Sequence, residues 1–170
     1  MRNVFRPQAG DIIFVYGSRL RFKLARRILH MRWNHVLIYM PRLGAVELTH
    51  RGIKKTEFRV FKTKRRMIIL RLIDHEKNIK KKILERIAQL ENVRFDWMRY
   101  VSMWLQLPLF SSKERRMSGH YICSDYVQNI YDYLGRYEVD IDALLRHDYL
   151  STELQQFGVK KVFDYRWGQL

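Results

Sequence analysis

Apolar and polar positions alternate along most of the first half of the chain, a two-residue period that is typical of β-strands. Runs rich in β-branched and aromatic residues predict five strands, over residues 10–17, 33–40, 45–50, 52–61 and 66–73. The second and third runs are separated by Pro-Arg-Leu-Gly at 41–44, which suits a tight reversal, so we expect a hairpin there. The next two strands continue the antiparallel pattern.

The second half changes to the helical period, with apolar residues recurring every three or four positions. This spacing predicts helices over residues 77–93, 95–107 and 123–134. A cationic amphipathic helix over residues 18–30, capped by Ser18, stands earlier in the chain, and residues 147–166 predict a helix or loop followed by a strand. Because strands and helices are segregated and do not alternate one by one, the sequence predicts an α+β fold.

Length and composition indicate a single folded domain over residues 1–170. A chain of 170 residues with 47% hydrophobic residues can bury a substantial core, and no linker, repeat or low-complexity tract divides it. Its 33 Lys and Arg against 17 Asp and Glu give a net charge of +16. This charge favours an anionic polymer, a membrane surface or nucleic acid as a partner, although a basic surface that serves only solubility gives the same composition.

The single cysteine excludes an intrachain disulfide, which is compatible with a reducing compartment. The first residues lack the apolar core of a signal peptide, and no stretch has the length of a membrane span, so we expect a cytoplasmic protein. A cell-wall role would require delivery by lysis or a virus particle, which keeps association with a virion open. We expect no metal and no cofactor, since zinc-spaced Cys/His clusters, glycine-rich phosphate loops and magnesium-type carboxylate sets are missing from the sequence.

Cys123 begins the predicted helix over residues 123–134. Free N–H groups and the positive end of the helix dipole stabilise a thiolate there, and the same N–H groups can hold an oxyanion. A small buried hydrophobic residue is the structural alternative for a lone cysteine. A nucleophile also needs a nearby base, so the position of the cysteine does not decide between the two.

His35 is the strongest candidate for that base, because an imidazole within the apolar run of the second strand needs a polar partner if it is buried. A satisfied structural histidine is the alternative. His120, three residues before the cysteine, is a candidate for lining the site from a loop.

The length of the hairpin turn decides which residue can orient His35. A three-residue turn gives facing residues an index sum of 84, which places Thr49 opposite His35 and Glu47 diagonally on the same face. A two-residue turn gives a sum of 85 and puts His50 opposite His35. The sequence leaves both Glu47 and His50 open as the third residue.

These segments resemble a known family. A Gly-Asp strand start, then Asn-His-Val-Leu-Ile-Tyr with an acid twelve residues after the histidine, then Tyr-Ile-Cys-Ser-Asp-Tyr-Val late in the chain are similar to the circularly permuted papain-like hydrolases, the YaeF/YiiX-type amidases of the NlpC-like superfamily. The resemblance spans roughly residues 10–165. It implies a permuted papain-like fold, in which a small antiparallel sheet packs against helices.

The resemblance also implies roles for single residues. It makes Cys123 the nucleophile, His35 the base and Glu47 the third residue of a thiol hydrolase that cleaves an amide, peptide or acyl ester bond through an acyl-enzyme. Ser124 matches the common Cys-Ser pair, and Tyr121 is a candidate contributor to the oxyanion site.

A non-enzymatic binding module is the competing expectation. Here the positive charge and interleaved aromatic residues such as Trp97, Tyr100 and Trp104 would bind nucleic acid or another anionic partner. A catalytically inactive relative that serves as a structural part of an assembly is a third expectation.

Overall fold

The computed structural model describes residues 5–16, 27, 30–58, 66–74, 78–105, 119–146 and 151–165. Of the predicted basic helix over residues 18–30, only Arg27 and His30 are described, and the side chain of Trp104 lies outside the described part as well.

The described residues form an α+β arrangement, as the segregated pattern predicts. The strands are β1 (Ile12–Tyr16), β2 (His35–Met40), β3 (Gly44–Thr49), β4 (Gly52–Thr56), β5 (Arg66–Leu72), β6 (Arg94–Phe95), β7 (His120–Tyr121) and β8 (Val159–Tyr165). The helices are α1 (Ile79–Gln89), α2 (Trp97–Trp104), α3 (Cys123–Tyr133), α4 (Ile141–Arg146) and α5 (Ser151–Leu154), and a 3-10 turn follows at Gln155–Phe157.

Six strands form one antiparallel sheet in the order β4-β3-β2-β1-β5-β8. Its central strands are apolar on both faces, so alternate residues enter two separate cores. Ile12 and Phe14 belong to the larger core, which α1, α3 and α4 cover, whereas Ile13 and Val15 belong to a smaller core on the opposite face. The sheet therefore supplies a rigid platform on which α3 packs.

The β2–β3 hairpin has the three-residue turn. Ile38 faces Val46, which is the register with an index sum of 84, so the two-residue alternative that puts His50 opposite His35 is wrong. Gly44 has a φ of 79°, and a Cβ there would lie 2.3 Å from the carbonyl oxygen of Thr56. Only glycine fits this end of the turn, and it fixes the register that brings Glu47 beside His35.

Asp11, just before β1, anchors the sheet to its neighbours. Its fully buried carboxylate accepts hydrogen bonds from Arg71 Nε at 2.7 Å, from Arg71 Nη2 at 2.8 Å and from the Gln8 N–H at 2.8 Å. The carbonyl of the preceding Gly10 accepts a hydrogen bond from the Tyr131 hydroxyl of α3. The Gly-Asp strand start thus binds the first strand both to β5 and to α3.

Some elements differ from the sequence prediction. The strand expected over residues 52–61 ends at Thr56, and β6 and β7 form a short parallel pair that the pattern does not predict. The helix α4 was also not predicted. Among the described residues, no helix is long and apolar enough to span a membrane.

Candidate thiol site

His35 is the first residue of β2, where its position is fixed from two sides. In the sheet it faces Val15 of β1. Immediately before it, the N–H groups of Arg32 and Trp33 donate to the carbonyl of Leu145 in α4, at 2.9 and 3.2 Å. The imidazole is therefore held at the end of a strand and not on a free loop, as a positioned base requires.

Glu47 of β3 is the polar partner that the sequence requires for His35. His35 Nε2 and Glu47 Oε2 are 2.5 Å apart, and the two side chains are only 19% and 9% exposed. This contact follows from the register, because residues that are diagonal on one face of an antiparallel pair lie within reach of long side chains.

Cys123 is the first residue of α3, which packs against β2 and β3. Interaction with this thiol is among the causes that raise the pKa of the His35 imidazole, so the sulfur lies near the ring. Because Nε2 of the ring is taken by Glu47, Nδ1 is the nitrogen left for the sulfur. The fold thus joins the three residues in the order thiol, imidazole, carboxylate.

The electrostatics of this row favour a protonated imidazole. Burial lowers the pKa of His35, but hydrogen bonds to Cys123 and Glu47 and the negative charges of both groups raise it, so that the pKa rises from 6.5 to about 10. A ring with this pKa carries a proton at neutral pH, so a positive charge lies beside the sulfur.

Asp125 and Arg99 form a second ion pair next to the thiol, and sequence reasoning missed it. The Asp125 carboxylate is almost fully buried and accepts hydrogen bonds from the Arg99 side chain of α2 and from the Ile122 N–H, the latter at 3.3 Å. Arg99 offsets a negative charge that otherwise opposes a thiolate two residues away. An acid three residues after the helix cap was the available sequence signal.

Ser124 and Tyr121, which were expected around the nucleophile, lie in different surroundings. Ser124 is buried, and within the described part of the chain its hydroxyl has no hydrogen-bond partner. The Tyr121 hydroxyl lies 3.5 Å from the amide nitrogen of Asn129, so the side chain of Tyr121 is directed along α3 while its backbone leads into Cys123. A contribution of Tyr121 to an oxyanion site stays a prediction.

Two other histidines have neighbours of their own. His50 follows β3, and its ring centroid lies 5.9 Å from that of Trp97, which also contacts Phe95 and Tyr100. His120 pairs with Arg94 in the parallel β6–β7 ladder. Within the described part of the chain, His35 is the histidine whose pKa the thiol raises.

Comparisons with known proteins bear on the fold alone. No family profile and no curated protein matches the sequence. The structure is similar to the crystal structure of the metalloprotein yiiX (DUF1105) from Escherichia coli O157:H7, with a TM-score of 0.58 and 18% sequence identity over 77% of this chain and 68% of that one. The chain therefore has a yiiX-like α+β fold.

Proposed function

We propose that this protein is a thiol hydrolase that cleaves an amide, peptide or acyl ester bond. One observation carries the proposal: the His35 imidazole lies 2.5 Å from the Glu47 carboxylate and interacts with the Cys123 thiol, which raises the pKa of the ring. A nucleophile, a base and a group that orients the base are the parts that covalent catalysis needs.

The reaction begins with the proton of Cys123 on His35. The thiolate sulfur attacks the carbonyl carbon, a carbon–sulfur bond forms, and the carbonyl oxygen takes the negative charge. The N–H of Cys123 is at the start of α3, where no intrahelical acceptor is available, and stabilises this oxyanion. Collapse of the intermediate expels the amine or alcohol, which takes the proton from His35.

Water completes the cycle. His35, now neutral, takes a proton from a water molecule that attacks the thioester carbon, and the sulfur leaves as a thiolate with the acid as the product. Another hydroxyl or amine in place of water would make the same site an acyltransferase. Glu47 keeps the ring oriented throughout and stabilises its protonated form.

A metal has no place in this mechanism. The name of yiiX calls that protein a metalloprotein. The described residues of this chain contain no group of three or more His, Cys, Asp or Glu side chains placed to hold a metal ion. We therefore derive no step through a metal.

The alkylation of Cys123 by iodoacetamide between pH 5 and 10 tests the proposal. An ordinary thiol ionises near pH 8.5, so the wild-type thiol should react at pH 6, where such a thiol is nearly inert. We expect His35→Ala to lower the rate at pH 6 by about 100-fold, because the base is lost. The matched control is His30→Ala, which removes a described histidine that has no role in the row.

A second measurement addresses hydrolysis itself. Incubation with p-nitrophenyl acetate should release a burst of p-nitrophenol and leave an acetyl group on Cys123, detectable by mass spectrometry. Cys123→Ala should abolish both. A wild-type rate profile that follows an ordinary thiol, or a profile that His35→Ala leaves unchanged, would contradict the proposal.

The exposed aromatic side of α2 supports a second candidate, the binding of single-stranded nucleic acid. Trp97 is 52% exposed and contacts Tyr100, in a protein of net charge +16. Exposed aromatic rings stack on bases, and basic residues attract phosphates. Salt-dependent binding of an oligothymidine that Trp97→Ala weakens and Cys123→Ala leaves unchanged would support this function.

A further inference from the structure

A pocket of about 300 Å³ lies along α3, on the side of the helix that Ser124 and Asp132 share. Four of its described lining residues are aspartates, Asp125, Asp132, Asp140 and Asp142, and neither Lys nor Arg is among those described. The described lining is therefore acidic, in a protein whose net charge is +16.

Among the described residues, one of the four aspartates is paired with a basic side chain. Asp125 is paired with Arg99. Asp132 accepts a hydrogen bond from the neutral Gln128 at 2.8 Å, and Asp140 accepts one from the Ala143 N–H at 2.9 Å. Among the described residues, Lys and Arg form no ion pair with Asp132, Asp140 or Asp142.

Ser124 gives the pocket a second, independent feature. Ser124 lines the pocket and is only 2% exposed, and among the described residues its hydroxyl lacks a hydrogen-bond partner. A buried hydroxyl without a partner costs free energy, which a ligand that donates a hydrogen bond would recover. The aspartate carboxylates of the pocket are hydrogen-bond acceptors as well. They therefore suit the same kind of ligand as Ser124, one that donates hydrogen bonds.

We propose that this pocket binds a primary alkylammonium group, such as that of a lysine side chain or a free diamine. An ammonium group has three N–H donors and one positive charge, and it needs acceptors and negative charges around it. The basic residues elsewhere do not prevent binding, because charges farther than about 8 Å are largely screened at physiological ionic strength.

The pocket lies on the other side of α3 from the thiol. At about 100° per residue, Asp125, Gln128 and Asp132 are turned about 140–200° from Cys123, which belongs to the face of α3 that packs against the core. The binding of the amine is therefore separate from the proposed hydrolase chemistry.

Isothermal titration calorimetry on the Cys123→Ala protein tests the binding separately from catalysis. The probes are 1,4-diaminobutane and 1,4-butanediol, which have the same chain length but differ in charge. We expect the diamine to bind and the diol to bind at least about tenfold more weakly. Nα-acetyl-lysine methylamide as a third probe tells a protein side chain from a free diamine as the source of the ammonium group.

Substitutions in the pocket sharpen the test. Ser124→Ala should weaken diamine binding about tenfold while the unfolding temperature stays equal or rises, because an unpaired buried hydroxyl is removed. Asp132→Asn and Asp142→Asn should each weaken it about fivefold. The control is Glu85→Gln, which removes an exposed carboxylate on α1, remote in sequence from the pocket residues, and should leave binding unchanged.

Several results would overturn the inference: diol binding as tight as diamine binding, an affinity that Ser124→Ala leaves unchanged, or an equal loss in Glu85→Gln. Displacement of the diamine by Mg²⁺ or Ca²⁺ would assign the pocket to a divalent cation instead. Because the Cys123→Ala protein is used throughout, the binding test gives its result whether or not the protein is a hydrolase.

Discussion

Two carboxylates are buried on neighbouring parts of the same sheet, and they have opposite roles. Asp11 is fully enclosed and accepts two hydrogen bonds from Arg71 and one from the Gln8 N–H. Glu47 is slightly exposed, and its carboxylate lies 2.5 Å from the imidazole of His35. Both pairs hold strands in place, but their cations differ in chemistry.

The identity of the cation makes the difference. The hydrogen bonds from Arg71 to Asp11 raise the pKa of a guanidinium group that already ionises above the physiological range, so this pair keeps its proton at all relevant pH values. An imidazole has a second ring nitrogen and can release its proton. The Asp11 pair is therefore static, whereas the Glu47 pair supports a ring that exchanges a proton with Cys123.

The largest effect is expected when the static pair is broken. Arg71→Met keeps the apolar stem but leaves the Asp11 charge buried without a cation, which should lower the free energy of unfolding by about 3–5 kcal/mol. Urea denaturation measures this loss. The alkylation profile of the protein that remains folded should match that of wild type, because Arg71 has no part in the thiol site.

An exposed ion pair on the adjoining strand is the matched control. Lys161 and Asp164 of β8 are 3.8 Å apart at the surface, so Lys161→Met should cost no more than about 1 kcal/mol. If Arg71→Met is no more harmful than Lys161→Met, the Asp11 pair is not the anchor that its burial indicates.

The pH dependence of stability separates the two pairs next. The pKa of His35 rises from 6.5 to about 10 on folding, so the stabilisation is fully present below about 6.5 and is lost as the pH rises through about 10. Above about pH 8.5 the cysteine is ionised in the unfolded chain as well. His35 is then the group whose protonation differs between the folded and the unfolded state. We expect the free energy of unfolding to fall there by up to about 1.4 kcal/mol per pH unit.

Denaturation at pH 8.5, 9.25 and 10 checks this slope. His35→Gln should flatten it, since the neutral amide does not titrate. The same slope in His35→Gln would mean that another group is responsible. Arg71 cannot supply it, because its pKa lies above this range.

A smaller effect is expected for the carboxylate of the titratable pair. Glu47→Gln removes a negative charge that raises the pKa of His35, so the protonated ring and the thiolate become less stable. The alkylation rate at pH 6 should fall about tenfold. An unchanged rate at pH 6, with normal folding, would remove Glu47 from the row as a positioning residue.

The sequence predicted the titratable row better than the static pair. A helix start and a polar residue in an apolar strand made Cys123 and His35 candidates, whereas the choice of Glu47 over His50 came from the family resemblance, because the sequence leaves the hairpin register open. Asp11 and Arg71 are 60 residues apart in the sequence, and no local pattern predicts that their strands are neighbours in the sheet. The two-residue strands β6 and β7 are too short to show a period, and the pairing of Arg99 with Asp125 depends on how α2 meets α3.

The smallest effect concerns His50, which the sequence left open as the third residue. Its ring packs 5.9 Å from that of Trp97 and the hairpin register does not place it opposite His35, so His50→Phe should preserve the packing and change alkylation at pH 6 by no more than about twofold. The loss of alkylation rate that Glu47→Gln shows in the same assay is the reference for this change. If His50→Phe instead reproduces the loss of Glu47→Gln, the imidazole of His50 and not the carboxylate orients His35. If His50→Phe changes the alkylation rate by no more than about twofold while Glu47→Gln lowers it about tenfold, the carboxylate alone orients His35. The comparison is informative because both side chains belong to the same hairpin and only their contacts differ.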